Sequence, residues 1–184
     1  MSRSLLEQAL DAMVAALALK GQGWSWREEG AADQSFVDAL YASTRLAELA
    51  PLPWPEAAKH GFLHEQSRLQ AAHYRQNYAG ALLALLECGG EPFGRVYLYA
   101  SPGEFRLMDI ALLPAWRGRG IGQELLHALM QVAARQARRI TLHVEPNNPA
   151  QRLYARLGFE RIEDRGVYHF LGWTPPTLQL NTAS

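Results

Sequence analysis

The chain has 184 residues, of which 48% are hydrophobic and 20% are charged, and its 18 basic and 18 acidic side chains cancel. This length and composition predict one globular domain with a sizeable core. A net charge of zero supplies no global field that would attract nucleic acid or an anionic membrane surface, so neither is expected as a partner.

The single cysteine and the six histidines do not follow a metal-ligand spacing. Cys88 cannot form an internal disulfide, which fits a reducing, cytoplasmic setting, and its apolar neighbours predict a buried side chain. His60 and His64 can share a helical face, but no acidic residue completes a zinc-protease motif. We therefore expect no metal ion.

The first 20 residues imitate a signal peptide only superficially. Leu6, Leu10, Met13 and Leu17 recur at helical spacing, and charged residues interrupt the apolar run. We predict an amphipathic helix over residues 1–20, as an extension of a domain that spans residues 21–184. No stretch elsewhere is apolar over the ~18 residues that a membrane helix needs, so no membrane span is expected.

Hydrophobic periodicity and turn residues predict the elements that follow. Residues 24–27 alternate as a short strand, and helices are expected over residues 31–49 and 56–78, separated by a proline-rich loop. The inward-facing positions of the second helix are predicted to be Phe62, Leu63, Leu69, Ala72 and Tyr78.

The second half of the chain is predicted to begin with strands over residues 81–88, 93–100 and 105–113, which short turns make antiparallel neighbours. Further along the chain we predict a helix, a strand, a short helix and a closing hairpin, over residues 120–136, 140–144, 149–157 and 159–173. These elements predict an α/β fold with a single mixed, mostly antiparallel central sheet and helices on both faces.

The most informative segment is a glycine-rich turn between a strand and a helix. Gly118, Gly120 and Gly122 let the backbone approach a ligand closely, and the unpaired amides at the start of the helix attract an anion. Arg117 and Arg119 can add charge-assisted hydrogen bonds to the same group. A phosphate group is the expected ligand.

The spacing of the residues in this turn distinguishes between the known phosphate-binding motifs. A Rossmann fingerprint needs a glycine where the chain has Gln123, and a P-loop needs Gly-Lys followed by Ser or Thr. Arg117, Gly120 and Gly122 instead form an Arg-x-x-Gly-x-Gly pattern, which resembles the coenzyme-binding signature of the GNAT superfamily of N-acyltransferases.

A second block, one strand further on, is similar to the second signature of the same superfamily; it consists of Asn147, Ala150, Leu153, Tyr154 and the ending Leu157-Gly158-Phe159. The resemblance covers residues 93–173 and, more loosely, residues 24–78. It implies an N-acetyltransferase that transfers an acetyl group from acetyl-CoA to a primary amine of a small molecule or peptide, by direct attack on the thioester.

The resemblance also implies roles for individual residues. The main chain of Ile110, Ala111 and Leu112 would pair with the pantetheine arm, and an amide near Leu112 would polarise the thioester carbonyl. Asn147 is either a ligand of the coenzyme or the cap of the next helix, and Tyr154 either protonates the departing thiolate or fills the core. The pyrophosphate would bind the main-chain amides of Arg117, Gly118, Arg119, Gly120, Ile121 and Gly122.

The general base has several candidates. Asp109 is the first choice, because the resemblance places a carboxylate on this strand facing the acceptor, and Glu145 is the second. His143 either relays a proton or has a structural role. Side chains expected to line the acceptor pocket are Tyr41, Trp54, Phe62, His73, Tyr74 and Tyr168.

Two other interpretations stay open. A non-catalytic acyl-CoA-binding regulatory module would keep the coenzyme clamp without transferring an acyl group, and a measurement of turnover separates it from an enzyme. An interaction through the N-terminal helix, as in a homodimer, is compatible with either function. The dependence of the mass in solution on protein concentration tests that interaction.

Overall fold

A mixed seven-stranded sheet forms the centre of the molecule. The structure, a computed structural model, describes residues 2–179. Across the sheet the strands follow the order β1-β2-β3-β4-β5-β7-β6. Along the chain they are β1 (Trp24–Glu28), β2 (Leu82–Cys88), β3 (Glu91–Ser101), β4 (Glu104–Leu112), β5 (Arg139–Val144), β6 (Glu160–Asp164) and β7 (His169–Trp173).

Helices lie on both faces of this sheet. They are α1 (Ser2–Ala15), α2 (Gln34–Leu49), α3 (Glu56–Asn77), α4 (Ile121–Arg135), α5 (Gln151–Arg156) and α6 (Pro176–Gln179). A 3-10 segment, Ala16–Lys20, continues α1 towards β1. The predicted α/β fold, with its mixed and mostly antiparallel sheet, is confirmed.

The strand pair β4–β5 is the one parallel pair in the described sheet, and it is short. Glu104 to Leu107 pair with Arg139 to Leu142, and no pairing with β5 continues beyond Leu107. One extra residue, Met108, interrupts the β3–β4 register between the pairs Leu98–Leu107 and Tyr97–Asp109. Such a bulge bends its strand. The two strands therefore separate, and we call the gap beyond Leu107 the wedge.

Side-chain alternation assigns the helices to the two faces. Val96 and Leu98 of β3 belong to the core that contains residues of α1 and α4. Tyr97, between them, points to the opposite face, where its ring meets that of Tyr74 of α3. Helices α2 and α3 pack against each other, and α2 also contacts β4.

The N-terminal helix is part of the core. The predicted stripe of Leu6, Leu10, Met13 and Leu17 is fully buried, against α4 and strands β1 to β3. The helix itself is confirmed, and its apolar side is used within the chain. The homodimer stays a prediction.

The predicted inward face of α3 is confirmed at Leu63, and Tyr78 is partly buried against Tyr99, but the other three positions are wrong. Phe62 and Leu69 are 39% and 57% exposed, and Ala72 is exposed as well. The buried row repeats every four residues as Lys59, Leu63, Ser67 and Ala71. Hydrophobic periodicity missed this face because two of its members are polar.

Candidate active site

The edge of β4 that faces the wedge has main-chain groups without a strand partner, of which the Leu112 C=O accepts from Arg117 Nε. Leu113 N–H donates to Phe93 C=O at 2.8 Å, so residues 113, 111 and 109 form the hydrogen-bonded pairs with β3. In an antiparallel ladder the alternate residues point their N–H and C=O groups away from that partner. Ile110 and Leu112 therefore direct these groups into the wedge. An extended ligand can pair with them as an added strand does.

The end of β4 leads into the turn that the sequence singled out, which we call the glycine loop (residues 117–122). Gly118 and Gly120 have φ angles of 70° and 74°, a region that only glycine adopts readily. Gly120 directly precedes α4. The main-chain N–H groups of residues 118–123 donate to no acceptor within residues 2–179. These amides and the helix dipole make the loop an anion site.

The two arginines of the glycine loop have different surroundings. Arg117 donates to Leu112 C=O and to Ser43 Oγ of α2, each at 2.8 Å, and thereby ties the loop to β4 and α2. Burial lowers the pKa of its guanidinium. The Arg119 guanidinium lies 5.4 Å from the ring centre of Trp116. No carboxylate pairs with either side chain in the described part of the chain, so both charges stay available to an anion.

Tyr154 of α5 lies beside the same space. Leu153, its neighbour, comes within 3.9 Å of the position that a Cβ on Gly122 would take, so α5 flanks the start of α4. The Tyr154 ring is 5% exposed and packs against Phe159. Its hydroxyl bonds to no described residue and is not sealed from solvent. The ring fills the core while the hydroxyl stays free, so the two roles considered for Tyr154 are compatible.

Burial raises the pKa of Tyr154 well above its ordinary value, and the negative charges of Asp109 and Glu145 raise it further. The hydroxyl is therefore protonated at neutral pH. A protonated hydroxyl can act only as a proton donor there.

Both predicted carboxylates are held in ion pairs. Asp109 lies 2.5 Å from Nε of Arg95, a residue of β3 that is 3% exposed. Glu145 lies 2.8 Å from the guanidinium of Arg45 in α2. Each predicted carboxylate therefore has an arginine partner, and the role of either as general base stays a prediction.

Two roles were considered for Asn147, coenzyme ligand and helix cap, and in the structure the cap is Asn148. Asn148 Oδ1 accepts from Ala150 N–H at 2.9 Å and so serves the start of α5. Asn147 is exposed and has no hydrogen bond among the residues that the structure describes. A capping role thus belongs to Asn148, and the coenzyme-binding role of Asn147 stays a prediction.

His143 of β5 is enclosed by cations. Its ring stacks on Phe170 with centroids 4.9 Å apart, and the guanidinium nitrogens of Arg106 and Arg165 each lie 3.3 Å from a ring nitrogen. Burial lowers the pKa of His143, and the two arginines lower it further. The ring is neutral at neutral pH, so it accepts a hydrogen bond from an arginine only at the nitrogen that carries no proton.

The side chains proposed for the acceptor pocket lie on several elements. Tyr41 is buried, Tyr74 donates its hydroxyl to Met108 C=O at 3.2 Å, and His73 is exposed. Trp54 and Phe62 form an exposed edge-to-face pair between α2 and α3. The structure brings Tyr41, Arg45, Glu145 and Tyr168 into electrostatic contact. It does not gather all six candidates around one point.

Sequence reasoning missed the partners that hold this site together. Arg95, Arg45 and Ser43 fix Asp109, Glu145 and Arg117, but none of the three lies in a motif. The only signal was a charged residue, Arg95, inside an otherwise apolar strand. A buried arginine requires a carboxylate partner, and Asp109 stood on the next strand.

Two expected absences concern metals and membranes. Within residues 2–179 no group of three His, Cys, Asp or Glu side chains is arranged to hold a metal ion. No helix in that part of the chain is long and apolar enough to cross a membrane. The cytoplasmic setting stays a prediction. Cys88 is partly exposed rather than buried as expected, because its strand ends at the rim of a cavity.

Comparison with known proteins identifies the family. The model of the Acetyltransferase (GNAT) family matches residues 43–159, which include the wedge, the glycine loop and Tyr154. The chain therefore belongs to the GNAT acetyltransferase family.

Individual relatives agree with this assignment. The chain is 30% identical over 117 residues to the N-alpha-acetyltransferase RimI of Mycobacterium tuberculosis, a match that covers 64% of this chain and 68% of that one. It is 28% identical over 110 residues to a putative ribosomal protein bS18-alanine N-acetyltransferase of Bacillus subtilis, with coverages of 59% and 65%. The chain spans between 30% and 65% of the lengths of the first curated relatives that it matches.

A solved structure has the same fold. The PaiA N-acetyltransferase of Thermoplasma acidophilum, in complex with coenzyme A, superimposes with a TM-score of 0.61 over 83% of this chain and 99% of that chain. The sequences are 14% identical, so this likeness concerns the fold alone.

Proposed function

We propose that the chain is an acetyl-CoA-dependent N-acetyltransferase that acts on a primary amine of a small molecule or peptide. The observation that carries this proposal is the continuous main-chain surface of the wedge. It begins with the outward groups of Ile110 and Leu112 and continues into the unpaired amides of residues 118–123. A ligand with an extended amide arm and a diphosphate complements such a surface.

The residues present fit this coenzyme. The amides of the glycine loop would hold the diphosphate, with the unpaired charge of Arg117 beside them. Ile110 and Leu112 would pair with the amides of the pantetheine arm. Asn147, exposed and without a hydrogen-bond partner among residues 2–179, follows β5 on the other side of the wedge. When bound, acetyl-CoA supplies the acetyl group as an activated thioester.

Leu112 and Tyr154 have the groups that transfer requires. The Leu112 N–H points into the wedge, where it would donate to the thioester oxygen and stabilise the charge that develops on it. The amine nitrogen forms its bond to the carbonyl carbon, and the carbon–sulfur bond breaks with its electron pair on sulfur. Tyr154, protonated and with a free hydroxyl, would give its proton to that sulfur.

We propose that proton removal from the amine takes place between Asp109 and Glu145. A water there takes the proton of the amine and passes it on to one of the two carboxylates, which releases it to solvent. The negative charges there also favour the approach of an ammonium substrate. His143, neutral and flanked by two arginines, has a structural role in this scheme.

The acceptor proposed for the first test is the α-amino group of a protein. Two relatives carry names that specify such a reaction, on alanine of a ribosomal protein or on an N-alpha amine. Exposed aromatic side chains lie on two separate segments, Trp54 and Phe62 at α3 and Tyr168 in the closing hairpin, and offer apolar surface to the residues after the amine. Small amines are the second class to test.

The experiment has a binding stage and a turnover stage. Calorimetric titrations with acetyl-CoA, CoA and NAD are expected to show binding of the two coenzyme A species and none of NAD. Thiol release is then measured with peptides whose N-terminus is free or blocked, and with small primary amines. Release that requires a free amine supports the enzyme. Tight acetyl-CoA binding without release for any amine would favour the regulatory module, and no binding would overturn both.

A further inference from the structure

The bulge at Met108 is contacted from the face of the sheet that carries α3. The Tyr74 hydroxyl donates to Met108 C=O at 3.2 Å. Four residues earlier on the same helix, Oε1 of Gln70 accepts from a guanidinium nitrogen of Arg95 at 2.9 Å, and Arg95 is the ion-pair partner of Asp109. Helix α3 therefore holds the extra residue directly and the residue after it through Arg95.

The Met108 C=O needs a donor of this kind because Met108 lies outside the regular ladder. Met108 has no partner residue in β3, and the pairing of β4 with β5 ends at Leu107. A partly buried carbonyl without a hydrogen bond costs free energy. The Tyr74 hydroxyl removes this cost only while the extra residue of β4 is Met108, because a Met108 that entered the ladder would turn its C=O towards a neighbouring strand.

The surroundings of Tyr74 keep its hydroxyl a donor. The ring stands perpendicular to that of Tyr97, with centroids 5.9 Å apart, and meets Tyr78 edge to face. Burial raises the pKa of Tyr74 well above its ordinary value, and the negative charge of Asp109 raises it further. The hydroxyl is therefore protonated at neutral pH and keeps its hydrogen for Met108 C=O.

The bulge determines where β4 leaves β5. With Met108 as the extra residue the strand bends there, and Ile110 and Leu112 lie beyond the point of separation. If the extra residue stood two positions later, Asp109 would take the place of Ile110 in the ladder, and its carboxylate would face the apolar core. The hydrogen bond from Tyr74 and the ion pair of Asp109 therefore stabilise the same position of the bulge.

We propose that Tyr74 is a positioning residue of the acyl transfer and that it acts through Met108. Its hydroxyl keeps the bend of β4 at the point where the strand leaves β5, and this bend keeps the Leu112 N–H directed at the thioester oxygen. The inference rests on the proposed function. It assigns Tyr74 to the strand that binds the coenzyme, and it requires no contact between this side chain and the amine.

The first test observes the hydrogen bond by NMR and needs no coenzyme or acceptor. Met-Asp occurs once in the chain, as Met108–Asp109, so protein labelled with carbonyl-13C methionine and 15N aspartate gives one correlated carbonyl signal. Tyr74→Phe keeps the ring and is expected to move this signal upfield, because the carbonyl loses its donor. Tyr78→Phe, at the end of the same helix, is the matched control and should leave the signal in place. An unshifted signal in Tyr74→Phe would overturn the proposal.

The second test separates positioning from binding by steady-state kinetics and calorimetry. In Tyr74→Phe, kcat is expected to fall about tenfold, the effect of about one hydrogen bond, while the Kd of acetyl-CoA and the KM of the amine change less than about threefold. The coenzyme stays bound because the glycine loop holds its diphosphate. Tyr78→Phe should retain the wild-type kcat.

Two outcomes of the kinetic test contradict the proposal. An unchanged kcat in Tyr74→Phe would mean that the bend does not depend on this hydroxyl. A raised KM of the amine at unchanged kcat would make Tyr74 a contact of the acceptor instead. Absence of turnover in the wild-type protein would overturn the proposed function, whereas the carbonyl signal would still report the hydrogen bond.

Discussion

The guanidinium of Arg95 in β3 and the carboxylate of Asp109 in the neighbouring strand β4 form an ion pair at 2.5 Å, beside the wedge. Arg95 is 3% exposed, so its charge depends on this partner. Asp109 thus stabilises the fold at the same place where the sequence suggested a catalytic base. From this ion pair we predict an effect of Asp109 on the free energy of unfolding that does not depend on catalysis.

Asp109→Asn is expected to lower the free energy of unfolding by about 3 kcal/mol, because it leaves a buried guanidinium without a counter-charge. Glu145→Gln is the matched control, since its partner Arg45 is more exposed, and a loss of about 1 kcal/mol or less is expected there. Chemical denaturation of both variants checks the difference. Equal losses would mean that the Arg95–Asp109 pair contributes no more to stability than the Arg45–Glu145 pair.

Tyr154→Phe is expected to lower kcat by about a hundredfold and to leave acetyl-CoA affinity unchanged, because the ring stays in the core and only the proton donor is removed. Since burial raises the pKa of Tyr154, the wild-type rate should not fall through ionisation of this group as the pH rises to about 10. Steady-state kinetics across pH and calorimetry check both points. Tyr99→Phe, in β3, is the control and should leave turnover unchanged. Unaltered turnover in Tyr154→Phe would mean that Tyr154 has only a structural role.

Gly120→Val is expected to weaken acetyl-CoA binding at least tenfold. Valine at a φ of 74° is strained by about 1–2 kcal/mol, and relief of that strain turns the loop amides away from the ligand. Gly103→Val tests strain alone, because Gly103 has the same φ in the β3–β4 turn with no atom within 4 Å of an added Cβ. Calorimetry should show normal affinity for Gly103→Val. A comparable loss in both variants would assign the effect to general destabilisation.

His143 is expected to titrate below its ordinary pKa of 6.5, because burial, Arg106 and Arg165 all disfavour its protonated form. The unfolded chain then binds the proton more tightly than the folded protein, so the contribution of His143 to stability is lost as the pH falls below about 6.5. An NMR titration of the imidazole checks the midpoint. Arg165→Gln should raise it, and a wild-type midpoint above 6.5 would contradict the arrangement of the two arginines.

Leu10→Ala is expected to cost about 2–5 kcal/mol of stability, since Leu10 is fully buried in the core that α1 shares with α4. Leu19→Ala supplies the comparison, because Leu19 is 98% exposed and its truncation should change stability by less than about 0.5 kcal/mol. Thermal or chemical denaturation distinguishes the two. A small effect of Leu10→Ala would mean that the extension is only loosely attached.

The main-chain part of the candidate site was predictable from sequence, whereas the side-chain pairs were not. Positive φ angles and close approach restrict positions 118 and 120 to glycine, so the loop leaves a local signature. The pairs Arg95–Asp109 and Arg45–Glu145 form between distant segments, and no local pattern encodes them.

The errors on helices have a related cause. The packed row of α3 contains Lys59 and Ser67, so a search for apolar periodicity selected Phe62 and Leu69 on another side. The helix cap was expected at Asn147 and lies at Asn148. The prediction misses by one residue because either asparagine can cap a helix that begins after Pro149. Element order was recovered nonetheless, since glycine, proline and strand alternation mark the boundaries.

The bulge at Met108 imposes a constraint on chain length. Before it, odd-numbered residues of β4 turn their main-chain groups towards β5, and after it even-numbered residues do. Deleting Met108 would leave the pairs of Asp109 to Leu112 with β3 as they are, because the ladder is regular without the extra residue. It would remove the bend, so that β4 could continue beside β5 and Ile110 and Leu112 could pair with that strand instead of with a ligand. Surface loops of this chain can tolerate insertions and deletions, but the extra residue in β4 is itself part of the candidate binding site.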